Sequence, residues 1–518
     1  MADWVLAALL AAVCGVYFAG ALAARPGVEV AAPDLVILRE WMATGQLPHA
    51  SRDPGHLAKP GHLLFLRLVL PAGGTDAELR RLLLINAAWI ASGIAALVLA
   101  VRLRVGSRAA AWTAFLFLLC LPLRDSADYV LTEPLAVGSA LWFAAAFILG
   151  SNRRIALLFI GIGVAALALL RPNLAYALAA VGSIVLLSNV ETKRRTGHLL
   201  LGFVVGLVVL GLVGRATNLP LSPLGMSPSQ ALFFGSVPYS WPPEIGSWPA
   251  GETPEETSRL QVRAASQRWR EALLLPRRDR NRFILWKLTH GVLSTEQLPA
   301  RWDWPPYLRL SELVRRWWWL AMILAISLSV TAAAASDSPW RFAPLCLFLF
   351  AFAQSLLLGA ETRYTLPMIP VALLGLVLAH RSAKRRPAAL VAAAGAATAL
   401  GLFWIILQVP DTTAADYAVA RPASRIQQAV PASAFGAWTA ATLHLRILAF
   451  PWDSPPGFEF FGNGELLFTR GSNDTSLFPA QHSVFLTGAT LNQARAKGLE
   501  LELRVLSEPS QGKGLTYP

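Results

Sequence analysis

One corner of the sequence sets an arginine and three carboxylates beside a long apolar run. Residues 123–135 include Arg124, Asp125, Asp128 and Glu133. Carboxylates can act as general bases or bind a divalent cation, and an arginine can hold a phosphate. Asp125 and Asp128 stand three apart, so on one helical face they would suit a metal ion. Glu133 either satisfies the positive end of a helix dipole or lines a cavity.

The segment 24–81 supplies another carboxylate and a lysine. Asp34 begins a helix-compatible stretch, so its side chain either caps that helix or acts as a base just outside the bilayer. Lys59 precedes Pro60 and Gly61, a rigid turn that can present the ammonium group to a phosphate. These alternatives stay open on the local sequence alone.

Two later corners each contribute one arginine. They are Arg171, in Leu-Arg-Pro-Asn, and Arg363, which Tyr364 follows in Glu-Thr-Arg-Tyr. Each arginine taken singly would anchor a helix end by reaching to the lipid headgroups. Together with Lys59 and Arg124 they would surround an acidic group with cations at one membrane face. Such an arrangement suits an attacked hydroxyl and a phosphate leaving group.

Signatures of several other enzyme classes are missing from the sequence. It contains no G-x-S-x-G, no H-E-x-x-H, no G-x-x-x-x-G-K-[ST] and no C-x-x-C. These absences argue against hydrolases, zinc proteases and nucleotide-driven motors. His56 and His62 share a segment with Asp53, but their spacing does not favour a metal site.

Apolar runs of spanning length must position these residues. The chain has 518 residues, 55% hydrophobic and 15% charged, a composition typical of a polytopic α-helical membrane protein. We predict about eleven transmembrane helices from run length. They lie near 4–23, 82–101, 109–123, 130–150, 155–170, 174–188, 198–214, 317–335, 341–358, 364–380 and 388–409.

Basic clusters between alternate runs predict the orientation. Short loops rich in lysine and arginine stay in the cytoplasm, which places the N-terminus there too. The connections 24–81 and 215–316 and the tail 410–518 then face outward, with nearly all the carboxylates. The net charge of +14 therefore reflects topology, and we expect no nucleic-acid partner. The clusters are Arg102/Arg104/Arg108, Arg153/Arg154, Lys193/Arg194/Arg195, Arg341 and Arg381/Lys384/Arg385/Arg386.

The tail, residues 410–518, reads as a small β-rich domain resembling a sandwich. Residues 442–448 and 499–505 alternate as strands do, and Asn463-Gly464 indicates a turn that enters a further strand. Such an external domain would either bind a glycan or serve as a stabilising cap.

The segment 215–316 combines arginine-rich and aromatic stretches. Residues 256–290 are helix-like, and apolar positions from Phe283 to Val292 predict a helix lying in the membrane interface. That helix would rest on lipid headgroups or hold a lipid phosphate. The tryptophans of this segment would stack on sugars or join the interfacial belt; they are Trp241, Trp248, Trp302 and Trp304.

The order of these motifs resembles that of the GT-C glycosyltransferases. Asp34 follows the first span, Lys59-Pro-Gly comes 25 residues later, and Thr-Glu-Pro-Leu opens the fourth span at Glu133. Arg171 in Arg-Pro-Asn and Arg363 in Arg-Tyr-x-x-Pro follow. The similarity is greatest to bacterial relatives of dolichyl-phosphate-mannose protein mannosyltransferases and aminoarabinose lipid A transferases.

The resemblance covers roughly residues 1–409 and implies an inverting glycosyltransferase. It would move a sugar from a polyprenyl-phosphate carrier to a glycan, lipid or protein acceptor, outside the bacterial inner membrane. It implies that Asp34 is the catalytic base, with Asp53 as the alternative. No nucleotide or redox cofactor is needed, and we expect no metal. The substrate- and phosphate-binding residues would be Lys59, Arg124, Asp128, Glu133, Arg171, Arg363 and Tyr364.

Two other functional classes fit a polytopic membrane protein. A transporter or flippase of lipid-linked glycans would need charged residues within its spans, and the predicted spans are nearly devoid of them. A structural protein of the cell envelope would use the tail for assembly.

Overall fold

The structure is a computed structural model of the whole chain. In the helical part it describes residues 2–24, 33–45, 60–187, 193–217, 254–274, 304–335, 340–357, 365–369 and 395–402, with single or paired positions between 232 and 302 and at 372. In the C-terminal part it describes residues 418–420, 425–435, 441–447, 458–470, 480–486, 488–505 and 515–517.

Apolar helices make up most of the described chain, as the composition predicts. Five of them have the length and hydropathy to cross a membrane, and four shorter ones are equally apolar in character. These nine helices match the first nine predicted spans, whereas 364–380 and 388–409 lie largely outside the described residues. They are α1 (Ala2–Ala23), α4 (Asp76–Arg104), α5 (Ser107–Leu119), α7 (Glu133–Gly150), α8 (Arg154–Leu167), α9 (Pro172–Leu187), α10 (Lys193–Thr217), α12 (Pro305–Ala335) and α13 (Ala343–Leu357).

Shorter helices complete this part of the fold. Those are α2 (Pro33–Thr44), α3 (Pro60–Val69), α6 (Leu121–Ser126) and α11 (Pro254–Leu274), with a 3-10 turn at Leu366–Met368. The tightest helix pairs are α4 with α7 and α8 with α10. Gly161 and Gly202 let the backbones of α8 and α10 approach closely, as small residues do between membrane helices.

The predicted span 109–123 is wrong at its C-terminal end. Helix α5 stops at Leu119, Cys120 leaves the helical region with φ −79° and ψ 63°, and α6 starts at Leu121. Pro122 explains the break, because a proline disfavours helical backbone in the residues before it and supplies no amide donor. The break turns α6 away from α5 and so redirects Arg124.

One end of the bundle gathers predicted cytoplasmic residues, and we call it the arginine end. Asp3, at the start of α1, lies 3.1 Å from Arg102 and accepts a hydrogen bond from Ser107 at 3.1 Å. Arg104 donates to the Leu149 carbonyl at 2.7 Å. The basic cluster shared by α4 and α5 therefore lies beside the start of α1 and the end of α7, at one end of the bundle, as the charge pattern predicts.

The opposite end carries the predicted site residues, and we call it the acidic end. Here α2 and α3 pack on each other and on the start of α4 through a small leucine-rich cluster. A capping box between Thr75 and Glu78 fixes that start, and Arg39 Nε donates to the Gly73 carbonyl at 2.7 Å. The cluster consists of Leu35, Leu38, Trp41, Leu63, Leu66, Leu70, Leu79, Leu82 and Val130.

Most of the apolar stretch from Phe283 to Val292 lies outside the described residues, so its prediction as an interfacial helix stays a prediction. Val292 is fully buried and belongs to the main hydrophobic core of the bundle. Its carbonyl accepts a hydrogen bond from Trp318 Nε1 at 3.2 Å, and the Gly291 carbonyl accepts one from Thr365. These bonds satisfy the carbonyls of Gly291 and Val292, which would otherwise be costly to bury among apolar helices.

The described residues of the C-terminal part form eight strands, one α-helix and a 3-10 turn at Ala432–Ala434, consistent with the predicted β-rich character. One sheet has the order β2-β7-β4-β5, and two pairs, β1-β8 and β3-β6, are separate; every pairing is antiparallel. Packing of these sheets as a sandwich stays a prediction. The strands are β1 (Ala418–Ala420), β2 (Arg425–Val430), β3 (Ala441–Ile447), β4 (Phe458–Gly462), β5 (Glu465–Arg470), β6 (Ala480–Leu486), β7 (Leu499–Val505) and β8 (Leu515–Tyr517).

The predicted turn at Asn463-Gly464 joins β4 to β5. Both residues have positive φ, at 51° and 80°, which is the conformation that favours this pair in a two-residue hairpin. The sequence analysis missed helix α14 (Gly488–Lys497), which lies between β6 and β7.

Candidate active site

The predicted base, Asp34, lies in the first turn of α2, buried against α3. Pro33 begins the helix, and the Asp34 residue is only 2% exposed. Its Oδ2 lies 3.0 Å from Nδ1 of His62, which is equally buried in the first turn of α3. The distance is that of an ion pair, although the angles are not those of a hydrogen bond. Asp34 therefore has a titratable neighbour on a different helix.

The neighbouring residue on α3, Gly61, ties the same turn to the corner before α9. Its amide donates to the Leu169 carbonyl at 3.2 Å. A Cβ at position 61 would lie 2.8 Å from Leu169 Cβ and 3.1 Å from its carbonyl oxygen, so only glycine allows this approach. Two consecutive residues, Gly61 and His62, thus connect the Arg171 corner with Asp34.

Substituting Gly61 tests this connection. We expect Gly61→Ala to destabilise the fold by about 1–3 kcal/mol, because the added methyl meets backbone as well as side-chain atoms. Gly163→Ala on α8 is the matched control, since a Cβ there meets nothing within 4 Å. The thermal unfolding midpoint in detergent measures both variants. Equal midpoints for the two alanine variants would contradict the close approach at Leu169.

Glu133 and Arg171 form a buried ion pair at the acidic end. Arg171 Nη2 donates to Glu133 Oε1, and Thr132 Oγ1 donates to Glu133 Oε2 at 3.3 Å. Glu133 occupies the first turn of α7, as the dipole interpretation predicts, yet it also engages the arginine across to the next corner. The two sequence motifs Thr-Glu-Pro-Leu and Arg-Pro-Asn therefore meet in space.

Arg124 lies inside the protein rather than on the membrane surface. Its Nη1 donates to Asp128 Oδ2 at 2.7 Å, its Nε donates to the Val16 carbonyl at 3.1 Å, and its guanidinium stands 5.9 Å from the Tyr17 ring. Burial opposes the charge, but Asp128 more than offsets it and raises the pKa of Arg124 above its ordinary value. These contacts give Arg124 a structural role between α1 and α6, and phosphate binding by Arg124 or Asp128 stays a prediction.

The second carboxylate of this corner, Asp125, faces α12. It accepts hydrogen bonds from the Tyr307 hydroxyl at 2.7 Å and from Ser311 Oγ at 3.3 Å. Burial, reinforced by Asp125, raises the pKa of Tyr307 well above its ordinary value, so the phenol stays a donor. Asp125 and Asp128 thus engage different partners, and among the described residues no three metal-ligating side chains cluster. The arrangement does not favour the metal-ligand alternative for this pair.

Several predicted site residues lie outside the described part of the chain. They are Lys59, Arg363, Tyr364 and the alternative base Asp53. Described residues close to Lys59 and Tyr364 in the sequence make these contacts: Gly61 touches the Arg171 corner, and the 3-10 turn after Thr365 packs against α6 and α7. Both flanking segments therefore lead towards the acidic end.

The sequence analysis missed the residues that connect this end across helices. His62 was set aside because a single histidine has no pattern, and Tyr307 had no signal at all. Trp302 was noted only as a sugar-stacking or belt residue; in the structure its ring stacks on Trp304 at 5.1 Å and contacts Tyr307 at 4.7 Å.

Comparison with known proteins yields two distant structural likenesses. No family model and no curated protein matches the chain. The archaeal oligosaccharyltransferase AglB from Archaeoglobus fulgidus, in complex with an inhibitory peptide and a dolichol-phosphate, is similar with a TM-score of 0.40 and 13% identity, over 79% of this chain and 55% of that one. A second structure of the Archaeoglobus fulgidus oligosaccharyltransferase, tethered to an acceptor peptide, gives a TM-score of 0.35, 13% identity and coverage of 79% and 54%.

The chain spans about half the length of these oligosaccharyltransferases. The likeness is too distant to assign a function, so the proposal below depends on contacts within the chain.

Proposed function

We propose that this protein is a membrane glycosyltransferase that moves a sugar from a polyprenyl-phosphate carrier to an envelope glycan, lipid or protein. The reaction takes place at the acidic end of the bundle, on the extracytoplasmic side of the bacterial inner membrane. Asp34 is the base, and the phosphate leaves towards the cationic groups of the neighbouring corners.

One observation supports this proposal above the others: the first turn of α3 contacts Asp34 and also the backbone of the corner before α9. His62 lies against Asp34, and Gly61 lies against the corner that carries Arg171. Lys59 directly precedes this turn in the sequence. One helix turn therefore links the Asp34 carboxylate to the corner that carries Arg171, and this link supports the proposal.

The chemistry of this neighbourhood matches the transfer. The acceptor hydroxyl loses its proton to Asp34 while its oxygen attacks the anomeric carbon. The bond from that carbon to the phosphate oxygen breaks through a transition state of oxocarbenium character, and inversion follows from attack opposite the leaving group. Lys59 and Arg363 stabilise the departing phosphate. Arg171, which is paired with Glu133, adds positive charge on the same side of the site.

The test uses the purified full chain in lipid nanodiscs. Synthetic short-chain polyprenyl phosphates carrying mannose, glucose, galactose or arabinose serve as donors, with an extract of bacterial envelope glycans and lipids as acceptor. We expect release of polyprenyl phosphate from one donor, together with a sugar added to an acceptor, both detected by mass spectrometry.

Empty nanodiscs control for spontaneous hydrolysis. A flippase would move the carrier lipid across the bilayer and leave the sugar–phosphate bond intact. If every donor stays whole while fluorescent carrier lipid crosses proteoliposome membranes, the glycosyltransferase proposal is wrong.

A further inference from the structure

We infer that His62 takes the acceptor proton onward from Asp34, so that a carboxylate–imidazole pair, rather than the carboxylate alone, serves as the base. This inference rests on the proposed function and adds a second residue to its proton path. His62 acts through Asp34 and is therefore a positioning and relay residue.

The geometry of the pair supports a relay. Nδ1 of His62 lies 3.0 Å from Asp34 Oδ2, and the side chains are only 2% and 3% exposed. No other hydrogen bond engages this ring nitrogen within the described residues. A small rotation of the ring would align the two atoms for proton transfer, because the separation already equals a hydrogen-bond length.

Burial makes the pairing chemically significant. An ionised carboxylate is strongly disfavoured in an apolar environment unless a partner compensates it, and the imidazolium formed at the end of the relay would supply that compensation. A histidine that served only packing would find its partners among backbone groups of its own surroundings. His62 instead points its Nδ1 at the carboxylate of another helix, across the interface between α2 and α3.

The other charged side chains around α3 are engaged elsewhere. The described elements that surround it are α2, α4 and the corner before α9. Asp34 is the charged group that faces His62 from these elements. Arg39 bonds the Gly73 carbonyl, Arg67 lies over the Trp41 ring, Glu78 bonds the amides of Ala72, Gly74 and Thr75, and Arg171 pairs with Glu133.

The proton balance of the step is simple. The acceptor O–H bond breaks as the new bond to the anomeric carbon forms, and the phosphate leaves with the electron pair of the old bond. The proton passes through the Asp34 carboxylate to His62 Nδ1, leaving a carboxylate beside an imidazolium. Water removes the proton after the product departs. The relay requires that Nδ1 of His62 carry no proton at the start.

The variant His62→Asn separates relay from packing. The asparagine amide reaches the position of Nδ1 and keeps hydrogen bonding to Asp34, but it cannot accept a proton. We expect turnover to fall about 100-fold, the lower range for a lost acid–base group, while the donor KM stays unchanged. His198→Asn is the control, because His198 is half-buried on α10, on a different helix from the site, and its ring bonds the carbonyl of Arg194 on its own helix. Turnover of His62→Asn at the wild-type rate would overturn the relay.

A spectroscopic measurement covers the case in which His62→Asn fails to fold. The full chain is labelled with ¹⁵N-histidine in nanodiscs, and its ring resonances are compared between wild type and Asp34→Asn. We expect one of the eight histidines to shift and the others to stay. If no resonance moves, the pair does not exist in solution and the relay is wrong.

These outcomes separate the inference from the proposed function. An inactive Asp34→Asn beside a fully active His62→Asn refutes the relay and leaves the glycosyltransferase proposal standing. If neither Asp34→Asn nor His62→Asn changes the rate of sugar transfer, Asp34 is not the base and the relay is wrong as well.

Discussion

Replacing Asp34 with asparagine should lower sugar transfer by about 1,000-fold, within the range for loss of a general base. Asparagine keeps the size and much of the hydrogen bonding of aspartate, but it cannot take a proton from the acceptor hydroxyl. Asp34 is buried between α2 and α3, so the substitution removes a charge there without opening a cavity. The measurement is release of polyprenyl phosphate under single-turnover conditions, where product dissociation does not limit the rate.

The matched control for this variant is Glu40→Gln. Glu40 lies on the same helix and is exposed, and the chemical change is identical. We expect it to transfer sugar at the wild-type rate. Asp53→Asn is a further arm, because Asp53 is the alternative base in the same segment. If Asp34→Asn is fully active and Asp53→Asn is inactive, the base is Asp53 rather than Asp34.

To attribute the loss of activity to chemistry, Asp34→Asn must be shown to be as stable as the wild-type protein. Asp34→Asn replaces a buried carboxylate that contacts His62, so its thermal unfolding midpoint should be compared with that of Glu40→Gln. Retained stability with lost turnover assigns the effect to chemistry. Aggregation of the variant would instead show that the Asp34–His62 contact supports the fold.

Features that depend on a few neighbouring residues could be predicted from the sequence. Strand β7 has the bounds that alternation predicts, because a period of two needs only seven residues to be recognised. Helix α7 begins at Glu133, directly before the proline that favours a first turn. The position of the basic cluster of α4 and α5 at the arginine end also follows from the charge pattern.

Contacts between distant segments could not be predicted in the same way. Tyr307 and Asp125 are 182 residues apart, and nothing in their local sequences reveals that one donates to the other. The local sequence around His62 does not reveal its contact with Asp34, because Asp34 lies on another helix, 28 residues earlier in the sequence. Such pairs are decided by how helices pack, which a periodicity along one helix does not encode. Apolar spacing alone likewise cannot distinguish a surface that faces lipid from one that faces a protein core, and Val292 is buried in the core.

Gly20→Ala should be the most destabilising single methyl addition on α1. A Cβ at this position would occupy the space of the Arg124 guanidinium, so the arginine must leave. Its departure would break the buried pair with Asp128 and the bond to the Val16 carbonyl. Breaking a buried ion pair typically costs about 3–5 kcal/mol, because an uncompensated charge stays behind.

The chain provides a matched control on the same helix. A Cβ at Gly15 would meet nothing within 4 Å, so Gly15→Ala should be neutral or stabilise the helix by about 0.5–1 kcal/mol. The free energy of unfolding in detergent or nanodiscs measures both variants. Equal effects at the two positions would contradict the packing of Arg124 against α1.

A double-variant cycle shows whether Gly20 acts through Arg124. Arg124→Met alone should destabilise the protein strongly, since Asp128 loses its partner inside the bundle. If Gly20→Ala acts by expelling the arginine, combining it with Arg124→Met should add far less than the sum of the single effects. Simple additivity would mean that the methyl group disturbs α1 directly. We expect the combined destabilisation to fall short of the sum because Gly20 provides the space in which the Arg124 side chain reaches Asp128.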